Sequence, residues 1–348
     1  MGRMKAVVLT AHGGPEVLVL DDAHPRPVPE AHEVLVRVCA AAVNNTDIWT
    51  RQGAYGLPGD PSALAGWRGP LTFPRIQGGD IAGVIAEVGA EVDPARVGQR
   101  VLVDPALYRD GSRNAPPVGL LGSEADGGFA EFVTVRAEQA HDVTGSPLTD
   151  EELAALPVAY GTAMGMVERA GIGAGETVLV TGASGGVGLA VVQLAAARGA
   201  RVIGVTSAGK SADVLTAGAV HTIDRAQDLV EQLGRAGLDR IDAIADVAGG
   251  PLIAQLMPLV RDDGRWVIAG AVAGPVVEFD LRRLYLHNIT LIGSSMHTRD
   301  HFAVLLDLAR RGEIRPMIAG RYALADLAAA QEHFAGQRRA GKIVLSVP

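Results

Sequence analysis

Cysteine is nearly absent: Cys39 is the only one in 348 residues. A disulfide framework within the chain is therefore excluded, as is a zinc site built on several thiolates. Positive charge is not in excess either. The formal net charge is −8, which disfavours a polyanionic partner such as nucleic acid or an anionic membrane. Long apolar runs are missing too: the longest, residues 189–197, is broken by Gln193 and falls far short of the about 20 residues that span a bilayer. Residues 1–10 carry no apolar core of signal-peptide length, so the expectation is a soluble, cytoplasmic protein. No internal repeat or low-complexity tract appears.

What is present is a globular composition, 48% hydrophobic and 20% charged, with 44 glycines. The apolar fraction is enough to fill a core and excludes a disordered chain. The length suggests about two domains. The first 145 residues read as short β-branched runs, 5–9 (KAVVL), 33–38, 81–88, 100–103 and 129–135, separated by Gly, Pro and Asp clusters. Residues 56–72 (GLPGDPSALAGWRGPLT) form a long Gly/Pro-rich loop carrying Trp67, either a lid or binding loop or a solvated insertion.

The rhythm changes near Thr149, an N-cap with Glu152 at capping-box spacing. Strands and helices then alternate: 177–181, 186–198, 201–206, 211–217, 221–223, 226–235, 241–246, 266–269 and 289–292. Such alternation predicts βαβ units and a parallel, doubly wound sheet, an α/β class for the chain. Helices near 300–311 and 324–334 and a strand at 342–347 close it.

The strongest motif is TGASGGVG at 181–188, between a buried strand and an apolar helix. Gly182, Ser184, Gly185, Gly186, Val187 and Gly188 form a loop whose glycines permit a tight turn and close approach of the backbone to a pyrophosphate, which then rests on the helix N-terminus. The next strand, RVIGVTS at 201–207, ends without the carboxylate that usually holds an NAD ribose; Ser207 and Lys210 follow. Hydroxyls and a lysine suit a 2′-phosphate, so the expected cofactor is NADPH, with a solvated helix-start lysine as the alternative for Lys210. The loop also suits short-chain dehydrogenases, but none of Tyr55, Tyr108, Tyr160, Tyr285 and Tyr322 has a lysine four residues on, and that reading fails.

Taken together, MKAVV at 4–8, AAVNNTD at 41–47, GGDIAG at 78–83, VGQRV at 97–101, GGFAEF at 127–132, LPVAYGTA at 156–163, the glycine loop and GKIVL at 341–345 resemble, in order and end to end, the medium-chain dehydrogenase/reductase superfamily, and within it the zinc-independent quinone oxidoreductase (zeta-crystallin-like) branch. The resemblance implies a GroES-like β-rich catalytic domain (1–148 and 298–348) and a Rossmann cofactor domain (149–297), with the active site in the cleft. Zinc-dependent members carry a ligand Cys where this chain has Asn44, a His-Glu pair at Gly79-Asp80 and a third ligand near Val158; residues 104–126 hold no cysteine for a structural zinc. No metal is expected.

The same resemblance implies that Asn44 and Tyr55 line the catalytic cleft, each weighed against a turn or packing role. It places Tyr160 and Thr162 near the nicotinamide ribose, Ala248 and Gly270 against the nicotinamide by backbone contacts, Ser294 as a weaker member, and Arg338 and Arg339 within reach of the 2′-phosphate. Asp47 is expected to hold loop geometry. His297 and His301 are either cleft residues or, more commonly for such positions, surface or helix-start histidines; Cys39 is expected to be buried and inert. Trp67, in a loop the short quinone reductases lack, is a candidate to cover the substrate.

The expected activity is hydride transfer from NADPH to a quinone or α,β-unsaturated carbonyl compound. The alternatives are an enoyl-thioester or haloacrylate reductase, an alcohol dehydrogenase-like enzyme of the same fold, and a non-catalytic NADPH-binding protein. The expected partners are a small-molecule substrate and a second copy of the chain, a homodimer with 289–292 as candidate edge strand, with no nucleic acid and no membrane.

Overall fold

The strand signals of the first 145 residues assemble, in a computed structural model describing residues 2–57, 59–238, 240–336 and 339–348, into the larger of two compact units. This unit comprises Met1–Val158, His297–Arg338 and Lys342–Pro348. Its main sheet runs in the order Ala140–Asp142, Arg100–Val103, Asp80–Val88, Glu33–Val43, Lys342–Ser346, Ile318–Ala323, with Phe132–Arg136 also paired to Glu33–Val43. A smaller sheet joins Leu18–Pro25, Arg3–Leu9 and Arg75–Ile76. Val36, Val38, Ile81, Phe129 and Leu345 lie in the core between these strands.

Glu33–Val43 extends well past the β-branched run that signals it. The added residues Cys39–Val43 are mostly alanines, poor strand formers in isolation, but they pair with Lys342–Ser346 on one side and Asp80–Val88 on the other. Cross-strand pairing overrides propensity here. Cys39 corrects its expectation: it is only half-buried, beside Arg37.

The second unit, Ala159–Met296 with Arg339–Gly341, carries the parallel sheet. Thr177–Val180, Arg201–Thr206, His221–Asp224, Ile241–Asp246, Val260–Ile268 and Thr290–Gly293 are its strands in chain order, and every ladder is parallel. Their spatial order is third, second, first, fourth, fifth, sixth, the doubly wound arrangement with its switch point beside the first strand. Leu179, Ile203, Ile244 and Trp266 fill the core. Thr290–Gly293 is the sheet's outer strand.

Two boundaries move. Thr149 caps its helix through the capping box the spacing predicts, with Glu152 N–H donating to Thr149 Oγ1 at 3.2 Å. That helix, Asp150–Ala154, packs on Glu33–Val43 and Asp80–Val88, so residues 149–158 belong to the first unit. Near the other end, Gly341 N–H donates to Ser184 O at 3.2 Å, which draws Arg339–Gly341 into the second. Arg338 lies outside the described residues. Among the described residues no helix is long and apolar enough to cross a membrane.

Candidate active site

In the second unit the first strand leads into Gly182, which takes φ +58°, a left-handed conformation costly for any residue with a Cβ. A Cβ on Gly188 would lie 2.2 Å from Gly182 O, so only glycine lets the helix Gly186–Ala197 close onto the turn. Gly185 is that helix's N-cap and supplies no side-chain acceptor. The first-turn N–H groups, with the positive end of the helix dipole, are left to backbone geometry alone, which is what a pyrophosphate requires.

Around the end of the second strand stand two cations, Lys210 and Arg225, with Asp213 and Asp224 nearby. Ser207 opens a short turn to Lys210, whose ammonium is pushed below its ordinary value by burial and by the neighbouring Arg225. Arg225 N–H donates to Thr206 O at 2.8 Å. Local sequence does not mark Arg225, because its place beside Ser207 follows from the pairing of Thr206 with Asp224. The two cations repel, and an anion between them would relieve that repulsion.

Asp246 is a second residue that motif reading passes over. Its buried carboxylate accepts from Thr181 Oγ1 at 2.5 Å, from Ala248 N–H and Gly249 N–H at 2.9 Å each, and from Trp266 Nε1 at 3.2 Å. Val247 N–H adds a bond to Thr181 Oγ1. The loop carrying Ala248 is thus clamped to the sheet, and Gly270 packs against it so closely that a Cβ would lie 2.5 Å from Val247 O. Tyr160, Thr162 and Ser294 are buried. The Tyr160 hydroxyl donates to Gln193 Oε1, Thr162 lies against Met296 Sδ, and Ser294 Oγ accepts from Arg169; burial pushes the Tyr160 phenol up.

The first unit holds a buried polar cluster at Asn44, the N-cap of Asn45–Gln52. Asn44 N–H donates to Asp47 Oδ2 at 2.7 Å, so Asp47 holds the turn. Asn44 Nδ2 donates to Asp80 Oδ2 at 2.8 Å, and Asn44 Oδ1 accepts from Lys342 Nζ at 2.5 Å. Lys342 also donates to Asp80 Oδ2 and Val43 O, each at 2.9 Å. Val158 N–H donates to the other oxygen of Asp80 at 2.7 Å. Lys342 is 2% and Asp80 0% exposed. Burial, reinforced by the charge of Asp80, pushes the Asp47 carboxyl up to about 7, against the bond from Asn44 N–H.

Asn44, Gly79-Asp80 and Val158 do converge, since a Cβ on Gly79 would lie 3.2 Å from Val158 Cγ2. The charged group at their centre is an ammonium. Among the described residues no group of three or more His, Cys, Asp and Glu side chains is placed to hold a metal ion.

Tyr55 donates to Thr46 Oγ1 at 2.8 Å and packs edge-on to Trp49; burial raises its phenol to about 12. The Gly/Pro-rich loop has no helix or extended strand among its described residues, yet it is anchored. Ala65 N–H donates to Gly53 O, Trp67 N–H to Ser123 Oγ and Arg68 N–H to Glu124 Oε1, while the Arg68 guanidinium stacks 4.3 Å from the Trp67 ring centre. His297 is neither a surface nor a helix-start residue. Fully buried, it pairs Nε2 with Asp104 Oδ1 at 2.8 Å and stacks on Phe302. His301 is the helix-start histidine, in a capping box with Thr298.

A GroES-like β unit and a doubly wound sheet with a glycine-rich first turn define a nicotinamide-dependent oxidoreductase of two domains. The chain matches the alcohol dehydrogenase GroES-like domain family over residues 30–145 and the zinc-binding dehydrogenase family over residues 186–311. It is 32% identical to the acryloyl-coenzyme A reductase of Metallosphaera sedula over 99% of this chain and 100% of that one. It is 29% identical to the quinone oxidoreductase of Mus musculus over 98% of this chain and 97% of that one. Among solved structures, a Sinorhizobium meliloti 1021 protein with the provisional name alcohol dehydrogenase superposes with a TM-score of 0.96 at 46% identity, covering 100% and 98% of the two chains. A cobalt- and zinc-bound thermostable alcohol dehydrogenase of Pyrobaculum aerophilum gives 0.84 at 29% identity, covering 99% of each. The chain belongs to the medium-chain dehydrogenase/reductase superfamily, in its quinone oxidoreductase-like branch.

Proposed function

We propose that this oxidoreductase is zinc-independent and uses NADPH to reduce a quinone or an α,β-unsaturated carbonyl compound. The buried Lys342–Asp80–Asn44 cluster carries the reading. A divalent cation there would face an ammonium 2.9 Å from the one carboxylate oxygen it shares with Asn44, and the other oxygen is taken by Val158 N–H. Asn, Gly and an apolar residue are a poor donor set for zinc, which takes S, N and carboxylate ligands. The family's zinc does not fit these residues.

The cofactor does fit. The glycine loop and helix N-terminus receive the pyrophosphate, Ser207, Lys210 and Arg225 the 2′-phosphate, and the clamped loop at Ala248 with Gly270 the nicotinamide; Arg339, two residues from the Gly341–Ser184 contact, is near enough in sequence to assist. When bound, the reduced nicotinamide supplies hydride. Negative charge then develops on the acceptor's carbonyl oxygen, and a well-placed donor stabilises it by about 3–4 kcal/mol. Asn44 Nδ2 donates to Asp80 Oδ2 at 2.8 Å and makes a long bond of 3.5 Å to Ala42 O; exchanging that long bond for one to the acceptor oxygen makes Asn44 the donor. Tyr55 keeps its proton up to about pH 12. It donates to Thr46, whose own hydroxyl proton is then available to the product or to water.

A second reading is an enoyl-thioester acceptor, favoured by the acryloyl-coenzyme A reductase relatives and by Arg68, an exposed cation stacked on Trp67. Steady-state rates with 1,4-naphthoquinone, 3-penten-2-one, acryloyl-CoA and a series of primary alcohols separate the classes. The expected result is turnover with the first two and none with alcohols. Efficient turnover confined to acryloyl-CoA moves the reading to thioesters, and alcohol oxidation alone ends it.

The protein is further proposed to act in the cytoplasm as a homodimer. The open edge strand Thr290–Gly293 is preceded in the chain by exposed Val272, Val276, Leu281, Tyr285 and Leu286, an apolar set that a second copy would cover. Light scattering at twice the chain mass is the expected result, and the monomer mass contradicts it.

A further inference from the structure

We propose that Lys342 is a positioning residue for turnover: its buried ammonium fixes which end of the Asn44 amide faces the acceptor. An ammonium only donates and a carboxylate only accepts. Lys342 therefore requires Oδ1 of Asn44, and Asp80 requires Nδ2, so both neighbours select the same orientation. The flipped amide would place oxygen against carboxylate and NH2 against ammonium. Asp47 anchors the backbone N–H of Asn44 while Lys342 and Asp80 hold the two ends of its amide, so the second Nδ2 N–H, in a long 3.5 Å bond to Ala42 O, is the one that can be exchanged for the acceptor.

Lys342 itself is no donor to substrate. Its three protons go to Val43 O, Asn44 Oδ1 and Asp80 Oδ2, and it is 2% exposed. Its effect on the reaction passes through Asn44. The proposal rests on the reading of Asn44 as donor to the acceptor oxygen, so the test includes Asn44→Ala, whose outcome judges that reading by itself.

The decisive variant is Lys342→Met with Asp80→Asn, which removes both charges and leaves neither unpaired. Melting temperature, NADPH dissociation constant by fluorescence, and kcat and KM with 1,4-naphthoquinone are measured for it, for Asn44→Ala and for the three changes combined. The expected result is unchanged NADPH binding, a kcat lowered roughly ten- to hundredfold, and little further loss when Asn44→Ala is added, because both changes remove one interaction. Wild-type kcat in the charge-pair variant, with Asn44→Ala impaired, overturns the role of Lys342 alone. Wild-type kcat in Asn44→Ala overturns the reading of Asn44 and the proposal with it. If the charge-pair variant does not fold, Lys342→Arg replaces it. Arg keeps the charge but cannot put one nitrogen on three acceptors, so lowered kcat with unchanged NADPH binding supports the proposal and wild-type kcat refutes it.

Discussion

Replacing Lys210 and Arg225 with glutamate is expected to reverse the coenzyme preference, raising the KM for NADPH by at least two orders of magnitude while leaving that for NADH near its starting value. A charge-assisted hydrogen bond contributes about 1.5–3 kcal/mol, so each cation accounts for roughly a ten- to hundredfold effect, and a carboxylate adds repulsion of the 2′-phosphate. The geometry supports the pairing. Arg225 follows the strand His221–Asp224 and bonds Thr206 O, beside the turn that carries Lys210. Lys210 is held below its ordinary value by burial first and by Arg225 second, against the opposing charge of Asp213. Arg225 is exposed and Lys210 half-buried, so the NADPH advantage should weaken as salt rises, chiefly through Arg225. Equal losses for the two coenzymes would instead assign these residues to general stability.

Lys342→Met alone is expected to destabilise the protein by about 3–5 kcal/mol, the usual consequence of leaving one member of a buried ion pair without its partner. Asp80 is 0% exposed, and its carboxylate keeps only uncharged donors once the ammonium is gone. For a unit of this size the loss corresponds to a melting temperature lower by roughly 6–20 °C. Adding Asp80→Asn should recover most of it, since a neutral amide has no comparable desolvation cost. An unchanged melting temperature in the single variant would mean that water reaches Asp80 and that the cluster is not sealed from solvent.

How much of this was legible in the sequence depends on how local each signal is. The glycine loop, the alternation of strands and helices and the Thr149 cap are encoded within a few residues, and the structure follows them closely. The exact extent of Glu33–Val43 was not, because alanines 40–42 become strand only through partners far along the chain. The same holds for the buried charges. Lys342 meets Asp80 across 262 residues and His297 meets Asp104 across 193, and neither pair leaves a local pattern. Arg225 and Asp246 needed the register of the parallel sheet before their neighbours could be named. The AAVNNTD motif points to Asn44 but gives no hint that both ends of its amide are held inside the protein.

On the proposed reading, NADPH, a glycine-loop cofactor site and a metal-free polar cluster suffice for reduction of an activated carbonyl acceptor. The direct measurement is the rate of NADPH and NADH oxidation by chelator-treated protein with 3-penten-2-one, before and after zinc is added back. The expected result is full activity after chelation, a strong preference for NADPH and no gain from zinc. Activity that vanishes with the chelator and returns with zinc would contradict it.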